Sequence, residues 1–345
     1  MAGPSPAVAQ VRSAVRPGLT ASAVPVLVAV SGGADSLALA AAVAFEAPRA
    51  GVPAGAVTVD HGLQPGSAER AGATAALAAG LGLEPVHVLA VRVGTDGGPE
   101  AAARAARYAA LADLAARSGA RVALGHTLDD QAETVLLGLG RGSGPRSVAG
   151  MVEHRVSEGV AWWRPLLGVR RATTRAACAD QGLPVWEDPW NSDPAYTRVR
   201  LRTEVLPLLE EVLGGGVAPA LARTAGMLRE DLDALDALAA AELSRLAGAD
   251  GLPARELAAL PAAIRRRVLR SWLRGAGVPD LQAVHLAAVD ALLVRWRGQG
   301  RVDLPGGAGV LRVSGRLVLR PAGVRGDVPG PDAPDPVPTT REELS

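Results

Sequence analysis

Val26-Leu27-Val28-Ala29-Val30-Ser31-Gly32-Gly33-Ala34-Asp35-Ser36-Leu37-Ala38-Leu39-Ala40 is the stretch from which the rest of the chain can be read. An apolar run too short for a helix, a glycine pair and an alanine- and leucine-rich segment predict a buried parallel strand that turns sharply into a helix. Such a turn is an anion site. Glycine lets the backbone bend and approach a ligand, and the first helical N–H groups, lacking intrahelical partners, point at whatever oxygen lies there. Ser31 and Ser36 add hydroxyls, and Asp35 adds a carboxylate that would repel phosphate unless a divalent cation lay between them. The loop therefore reads as a holder of polyphosphate with magnesium, Asp35 being the metal ligand.

Two commoner glycine loops are excluded. A P-loop needs a lysine for the outer phosphates, and every basic residue of this chain is arginine. The dinucleotide fingerprint G-x-G-x-x-G is missing from the turn as well. The composition adds bounds of its own. A length of 345 residues allows two domains, and 48% hydrophobic content with 3% aromatics implies a core of Leu, Val and Ala. A net charge of +1 names no partner, so any nucleic acid must be met by local arginine clusters. One cysteine, Cys178, excludes an internal disulfide and a multi-cysteine metal or iron–sulfur site, and fits a reducing cytosol. With no leader pattern after Arg12 and Arg16 and no apolar run of membrane length, a soluble cytoplasmic protein is expected.

A short helix from Val8 to Val15 is predicted before the loop, ending near Pro17-Gly18. Ala56-Val57-Thr58-Val59 is a second strand, and it delivers Asp60 and His61 to the sheet edge that carries the loop, where ligands of open α/β sheets sit. A helix over 67–81, a strand over 86–93 and a helix opening at Gly97-Gly98-Pro99 follow. Glu100, Arg104 and Arg107 share a face of that helix, which is functional only if the face looks into the cleft.

Arg121-Val122-Ala123-Leu124 runs as a fourth strand into Gly125-His126-Thr127-Leu128-Asp129-Asp130-Gln131-Ala132-Glu133-Thr134. Acidic residues at a helix start need no function, since the dipole favours them. That leaves His126, Gln131 and Glu133 unexplained. One turn beyond Asp129 and Asp130, Glu133 makes a third carboxylate around one spot, a cluster suited to a cation, either a metal or a substrate ammonium. Four strand–helix units predict a doubly wound, mostly parallel sheet. A glycine-rich loop at Arg141-Gly142-Ser143-Gly144, a strand at 162–167 and a helix over 170–181 complete a domain spanning 24–196.

Beyond it the texture becomes helical, over 203–212, 217–246, 262–274 and 281–296, with Gly214-Gly215-Gly216 as a joint closing a linker over 197–216. The 264–274 segment has one apolar stripe, and its five arginines form either a solvated face or a phosphate track. Three short runs between 302 and 319 predict a β-meander. The Pro-, Asp- and Glu-rich tail from 322 is expected to be disordered.

Taken together, the Ser31–Ser36 loop, Val59-Asp60-His61-Gly62, Ala103–Tyr108, Gly125–Thr134, Arg141–Gly144, Arg164–Leu167, Glu187-Asp188-Pro189, Asn191 and Arg198 resemble the tRNA(Ile)-lysidine synthetases, a branch of the PP-loop ATP pyrophosphatases. The resemblance continues more loosely through 269–274 and 304–307. It implies an adenine-nucleotide α-hydrolase-like fold with a C-terminal tRNA-binding domain over 217–321. It also implies ATP-dependent ligation of free L-lysine to C2 of the wobble cytidine in the CAU anticodon of tRNA(Ile), through an adenylated cytidine. Carried over residue by residue, Ser31, Gly32, Gly33, Ala34, Asp35 and Ser36 would hold ATP and Mg²⁺, with Asp60 and His61 on the same edge. Arg104 and Arg107 would meet the α-phosphate and the cytosine. His126, Asp129, Asp130 and Glu133 would take the lysine ammonium and activate it. Arg141, Arg198 and Arg200 would touch the substrate, and a homodimer is compatible with the sequence. Gln64 departs from the arginine often found there in the family, so no contact is carried over to it. The rivals are a PP-loop tRNA thiolase, which would need cysteines, an amide-forming ligase, which would lack the helical half, and a non-catalytic nucleotide-binding paralogue.

Overall fold

The computed structural model describes residues 3–94, 98–142, 144–248 and 250–323, without the side chains of Pro99, Glu100, Asn191 and Ser192. The elements of the first compact unit, residues 1–228, are α1 (Pro6–Thr20), β1 (Val26–Ala29), α2 (Ala34–Ala50), β2 (Ala54–Asp60), α3 (Ser67–Gly80), β3 (Val86–Ala90), α4 (Pro99–Ser118), β4 (Arg121–Ala123), α5 (Leu128–Arg141), α6 (Pro145–Val148), β5 (His154–Ser157), β6 (Val160–Trp163) and α7 (Arg171–Asp180). A bent helical run then joins α8 (Thr197–Arg200), a π-turn over Leu201–Val205 and α9 (Leu206–Val212), and α10 (Val217–Leu246) begins.

The sheet order is β3-β2-β1-β4-β6-β5, parallel from β3 to β6. Both dense motifs start where neighbouring central strands, β1 and β4, end, which is the geometry of a ligand site in a doubly wound sheet. One face of the sheet packs on α1, α2 and α7 through Val11, Val15, Leu37, Leu39 and Trp163. The other packs on α4 through Leu111, Leu114, Val122 and Trp162.

Several boundaries differ from the sequence expectation for identifiable reasons. The first helix passes Pro17 and ends at Thr20, because Leu19 and Gly18 are buried and the ring of Trp163 lies against Gly18. The strand expected over 162–167 stops at Trp163, since Pro165 has no N–H to offer and opens a 3₁₀ turn over Pro165–Gly168. An antiparallel edge strand, β5, pairs β6 where no strand was expected, its residues mostly exposed and so without an apolar signature. The strand expected over 86–93 ends at Ala90.

The second compact unit, residues 229–345, contains the rest of α10, β7 (Leu252–Pro253), α11 (Ala254–Ala259), α12 (Ala262–Gly275), α13 (Ala283–Val294), β8 (Val302–Asp303), β9 (Gly309–Val313) and β10 (Arg316–Arg320). Its sheet is antiparallel in the order β7-β10-β9-β8, so the meander gains a strand from before the helices. The division falls inside α10 and not at the Gly214–Gly216 joint, because Ala218 and Leu221 pack with Leu206 on Ala132 of α5. Among the arginines of α12, Arg265 and Arg266 pair with Asp290 and Arg267 with Asp236, while Arg270 and Arg274 are exposed. The expectation of a disordered tail falls, from 324 onward, outside the described residues. No single helix among the described residues is long and apolar enough to cross a membrane.

Gly18→Ala should cost about 1–3 kcal/mol by forcing the Trp163 indole aside. Gly72→Ala, on an open and exposed face of α3, should instead add about 0.5–1 kcal/mol. Denaturant unfolding of both variants measures this, and equal effects would contradict the packing described for Trp163.

Candidate active site

The Ser31–Ser36 loop is held by its own hydroxyls: Ser31 N–H donates to Ser36 Oγ at 3.1 Å, and Ser36 Oγ donates to Gly33 O at 2.9 Å. Gly32 has φ +85, and a Cβ there would lie 3.1 Å from Thr74 Oγ1, so only glycine fits the cradle. Trp186 N–H donates to Gly32 O at 3.0 Å. No side chain caps the start of α2, which leaves its first-turn amides directed at the site.

Gly125 brings the second motif against the first. A Cβ at this position would stand 3.0 Å from the Asp35 backbone, so the end of β4 and the first turn of α2 meet only because the residue is glycine. Thr127 then caps α5 and holds Asp130 Oδ2 by its N–H (2.8 Å) and its hydroxyl (2.9 Å). Asp130 Oδ1 faces inward. Glu133, fully buried one turn on, lies beside it.

One cation joins the two motifs. Arg171, the first residue of α7, donates from Nε to Asp35 Oδ2 (3.1 Å), from Nη2 to Asp130 Oδ1 (2.6 Å) and from Nη1 to Glu133 Oε1 (3.3 Å). Thr174, one turn along α7, donates to Asp35 Oδ1. Arg202 forks onto Glu133 at 2.8 and 3.2 Å. It is carried by the π-turn, an irregularity that re-aims side chains and is frequent at functional sites. Asp129 stands apart from this cluster, accepting from Arg171 N–H (2.8 Å) and pairing with Arg170 (3.1 Å).

The electrostatics follow from this wiring. Burial raises the Asp35 carboxyl above its ordinary value, with Arg171 and Thr174 opposing. Burial would raise Asp130 too, but Arg171, the Thr127 amide and His126 together leave it lowered. Burial is also the largest influence on Arg171 and disfavours its charge, yet Asp130, Asp35 and Glu133 overcome it and hold the guanidinium charged. His126 is pushed down to about 3 by burial, with Arg164, Arg104 and Arg107 adding to the effect, and its Nδ1 has no hydrogen-bond partner. His61 is lowered by burial and then by Arg107.

Arg107, on α4, is near enough to lower both His61 and His126, and burial and then Arg198 lower Arg107 in turn. Arg104 stacks over Tyr108 and donates to its hydroxyl at 3.1 Å. Three further expected residues are placed as follows. Arg200 is exposed and paired with Glu204 at 2.9 Å. Arg141 ends α5 at the pole opposite Asp130. Asp60 accepts from Gly62 N–H at 2.9 Å, closing its own strand-end turn. Arg171, Thr174 and Arg202 had no assigned role in the sequence reading. Gln64 donates to Asp188 at 3.1 Å and accepts from Arg70, tying the β2 loop to the segment after α7.

The chain matches two family models, a PP-loop domain over residues 6–209 and a TilS substrate-binding domain over 252–318. Among curated proteins it is 53% identical to the tRNA(Ile)-lysidine synthase of Streptomyces coelicolor, covering 92% of this chain and 99% of that protein. The chain belongs to the tRNA(Ile)-lysidine synthase family. The family member from Nocardia farcinica is 57% identical over 88% of this chain and 93% of its own length. A solved structure, the U34-tRNA thiolase NcsA from Methanococcus maripaludis with its [4Fe-4S] cluster, aligns with TM-score 0.54 at 18% identity, covering 65% of this chain and 80% of that one. That likeness concerns the fold alone. Unlike an iron–sulfur protein, this lysidine synthase family member has one cysteine, Cys178, whose thiol burial and the nearby Asp35 push up to about 11.

The PP-loop domain makes ATP its co-substrate, and the Gly32 cradle and uncapped amides of α2 fit a triphosphate. Among the described residues no three acidic, His or Cys side chains converge as a metal cluster. Asp35 alone beside the loop matches the way Mg²⁺ is bound, by one or two carboxylates together with substrate phosphates and water.

The buried His126 yields a pH prediction. Its folded value lies below the ordinary 6.5, so the unfolded chain binds the extra proton as pH falls; stability from this group is complete above pH 6.5 and is lost toward pH 3. His126→Gln should flatten that part of the stability profile measured by urea unfolding between pH 7 and about 4. An unchanged slope would show that His126 titrates normally in the fold.

Proposed function

We propose that the protein ligates free lysine to C2 of the wobble cytidine in the CAU anticodon of tRNA(Ile), consuming ATP and releasing AMP and pyrophosphate, in the cytoplasm. One observation supports the reading: through Gly125, a turn with uncapped amides and a buried carboxylate pair are set side by side, as a triphosphate and an ammonium would require.

The reaction needs both. The cytosine O2 is a poor leaving group, so it attacks the α-phosphorus of ATP and expels pyrophosphate. The lysine ε-amine then adds to C2 and expels AMP. The first-turn amides of α2 and the hydroxyls of Ser31 and Ser36 hold the phosphates. Mg²⁺ held by Asp35 would neutralise charge on them. Arg104, Arg107 and Arg198 supply positive charge at the strand ends, where the pentavalent phosphorus and the leaving AMP develop negative charge. Asp130 and Glu133 receive the ε-ammonium, and one of them takes its proton before attack. His126, neutral across the physiological range, keeps an acceptor nitrogen for the base or the amine. The C-terminal unit holds the tRNA, with Arg270 and Arg274 meeting phosphate.

Full-length protein given ATP, Mg²⁺, radiolabelled lysine and CAU-anticodon tRNA(Ile) should form AMP and put label into the tRNA in equal amounts. AMP formation that ignores tRNA, or label in another product, contradicts the reading. Asp35→Ala should lower turnover by about 10²–10³-fold, the usual effect of removing one charge-stabilising group, with tRNA affinity retained in a filter-binding assay.

A further inference from the structure

Resting on the assignment of Asp130 and Glu133 to the lysine ammonium, we infer that Arg171 is an internal stand-in for that ammonium, which keeps the amine pocket shut until nucleotide and metal draw Asp35 away from it. The pocket has few acceptors to spare, one lone pair on Asp130 Oδ1 and one on Glu133 Oε2. Asp130 Oδ2 is taken by Thr127 and Oδ1 by Arg171, while Glu133 Oε1 accepts from both Arg202 and Arg171 and Oε2 accepts from Arg202. A substrate ammonium has three N–H groups to satisfy and finds two open acceptor sites, both beside a guanidinium that repels it.

Arg171 is the occupant that can yield. Arg202 grips both oxygens of Glu133, whereas Arg171 makes one bond to each of three carboxylates and depends on having all three. It also begins α7, where the positive end of the helix dipole disfavours a cation, so these contacts alone hold it in place. Asp35 is the contact that the other substrate reaches. When that carboxylate turns to phosphate-bound metal, Arg171 loses its Nε partner and its hold on Asp130 and Glu133 weakens, opening them to lysine. The two subsites are thereby coupled, and coupling of this kind is reciprocal.

Calorimetric titration of lysine into the full-length protein tests this, with and without Mg²⁺ and a non-hydrolysable ATP analogue. Wild-type protein should bind lysine about tenfold or more tightly once nucleotide and metal are present, within the usual range of site coupling. In Arg171→Gln, lysine should bind the nucleotide-free protein more tightly than it binds nucleotide-free wild type, and the coupling should fall toward one. Arg171→Lys keeps the charge but not the three-way fork, so its coupling should also fall; this variant gives the answer should the glutamine protein fail to fold. Coupling in either variant equal to that of wild type overturns the proposal while leaving lysine in its pocket. Absence of lysine binding in wild type under every condition overturns the pocket assignment and this proposal with it.

Discussion

Three carboxylates from two distant stretches of sequence share one largely buried pocket, and a single guanidinium makes that tolerable. Asp35, Asp130 and Glu133 would repel one another and lose hydration without a counter-charge, and Arg171 meets all three, with Arg202 adding a second cation on Glu133. Removing one partner from such a buried set typically costs about 3–5 kcal/mol. The raised Asp35, the lowered Asp130 and the strongly held Arg171 are one electrostatic arrangement seen from three atoms. It spans the boundary between the Ser31–Ser36 loop and α5.

The sheet makes this pocket possible. β1 and β4 are hydrogen-bonded neighbours, so their carboxyl ends release the Ser31 loop and the His126 helix at adjacent points. Gly125 then allows the backbones to touch, and α7 crosses back so that Arg171 and Thr174 reach the same carboxylates. A ligase that joins an activated nucleobase to an amine has to keep an anion site and a cation site adjacent but unmixed. In the function proposed above, the loop amides would attract phosphate and the carboxylates ammonium, with the Arg171 guanidinium between them.

The fold was largely legible because its signals are local. The apolar runs at 26–30, 56–59 and 121–124 led into glycine or polar residues, and the structure keeps those strand ends to within a residue, whereas the strands expected over 86–93 and 162–167 end earlier. The carboxylates at 35, 130 and 133 were legible for the same reason, standing in dense motifs at those ends. Arg171 and Arg202 were not. All 36 basic residues of this chain are arginine, so one more arginine at a helix start or inside a helical run carries no information until the fold shows what it faces. Arg202 depends further on a π-turn that shifts the side-chain phase, which the sequence does not announce. β5 and β7 were hidden by brevity, and β5 also by exposure, since a solvated edge strand has no buried face to imprint a pattern.

The account stands most directly on where the amino acid binds. A crystal structure of the protein with Mg²⁺, a non-hydrolysable ATP analogue and lysine should show the triphosphate over the amides of residues 33–36. The lysine ammonium should lie between Asp130 and Glu133, with the Arg171 guanidinium withdrawn from both. Lysine bound away from these two carboxylates, or bound between them with Arg171 still in place, would contradict it.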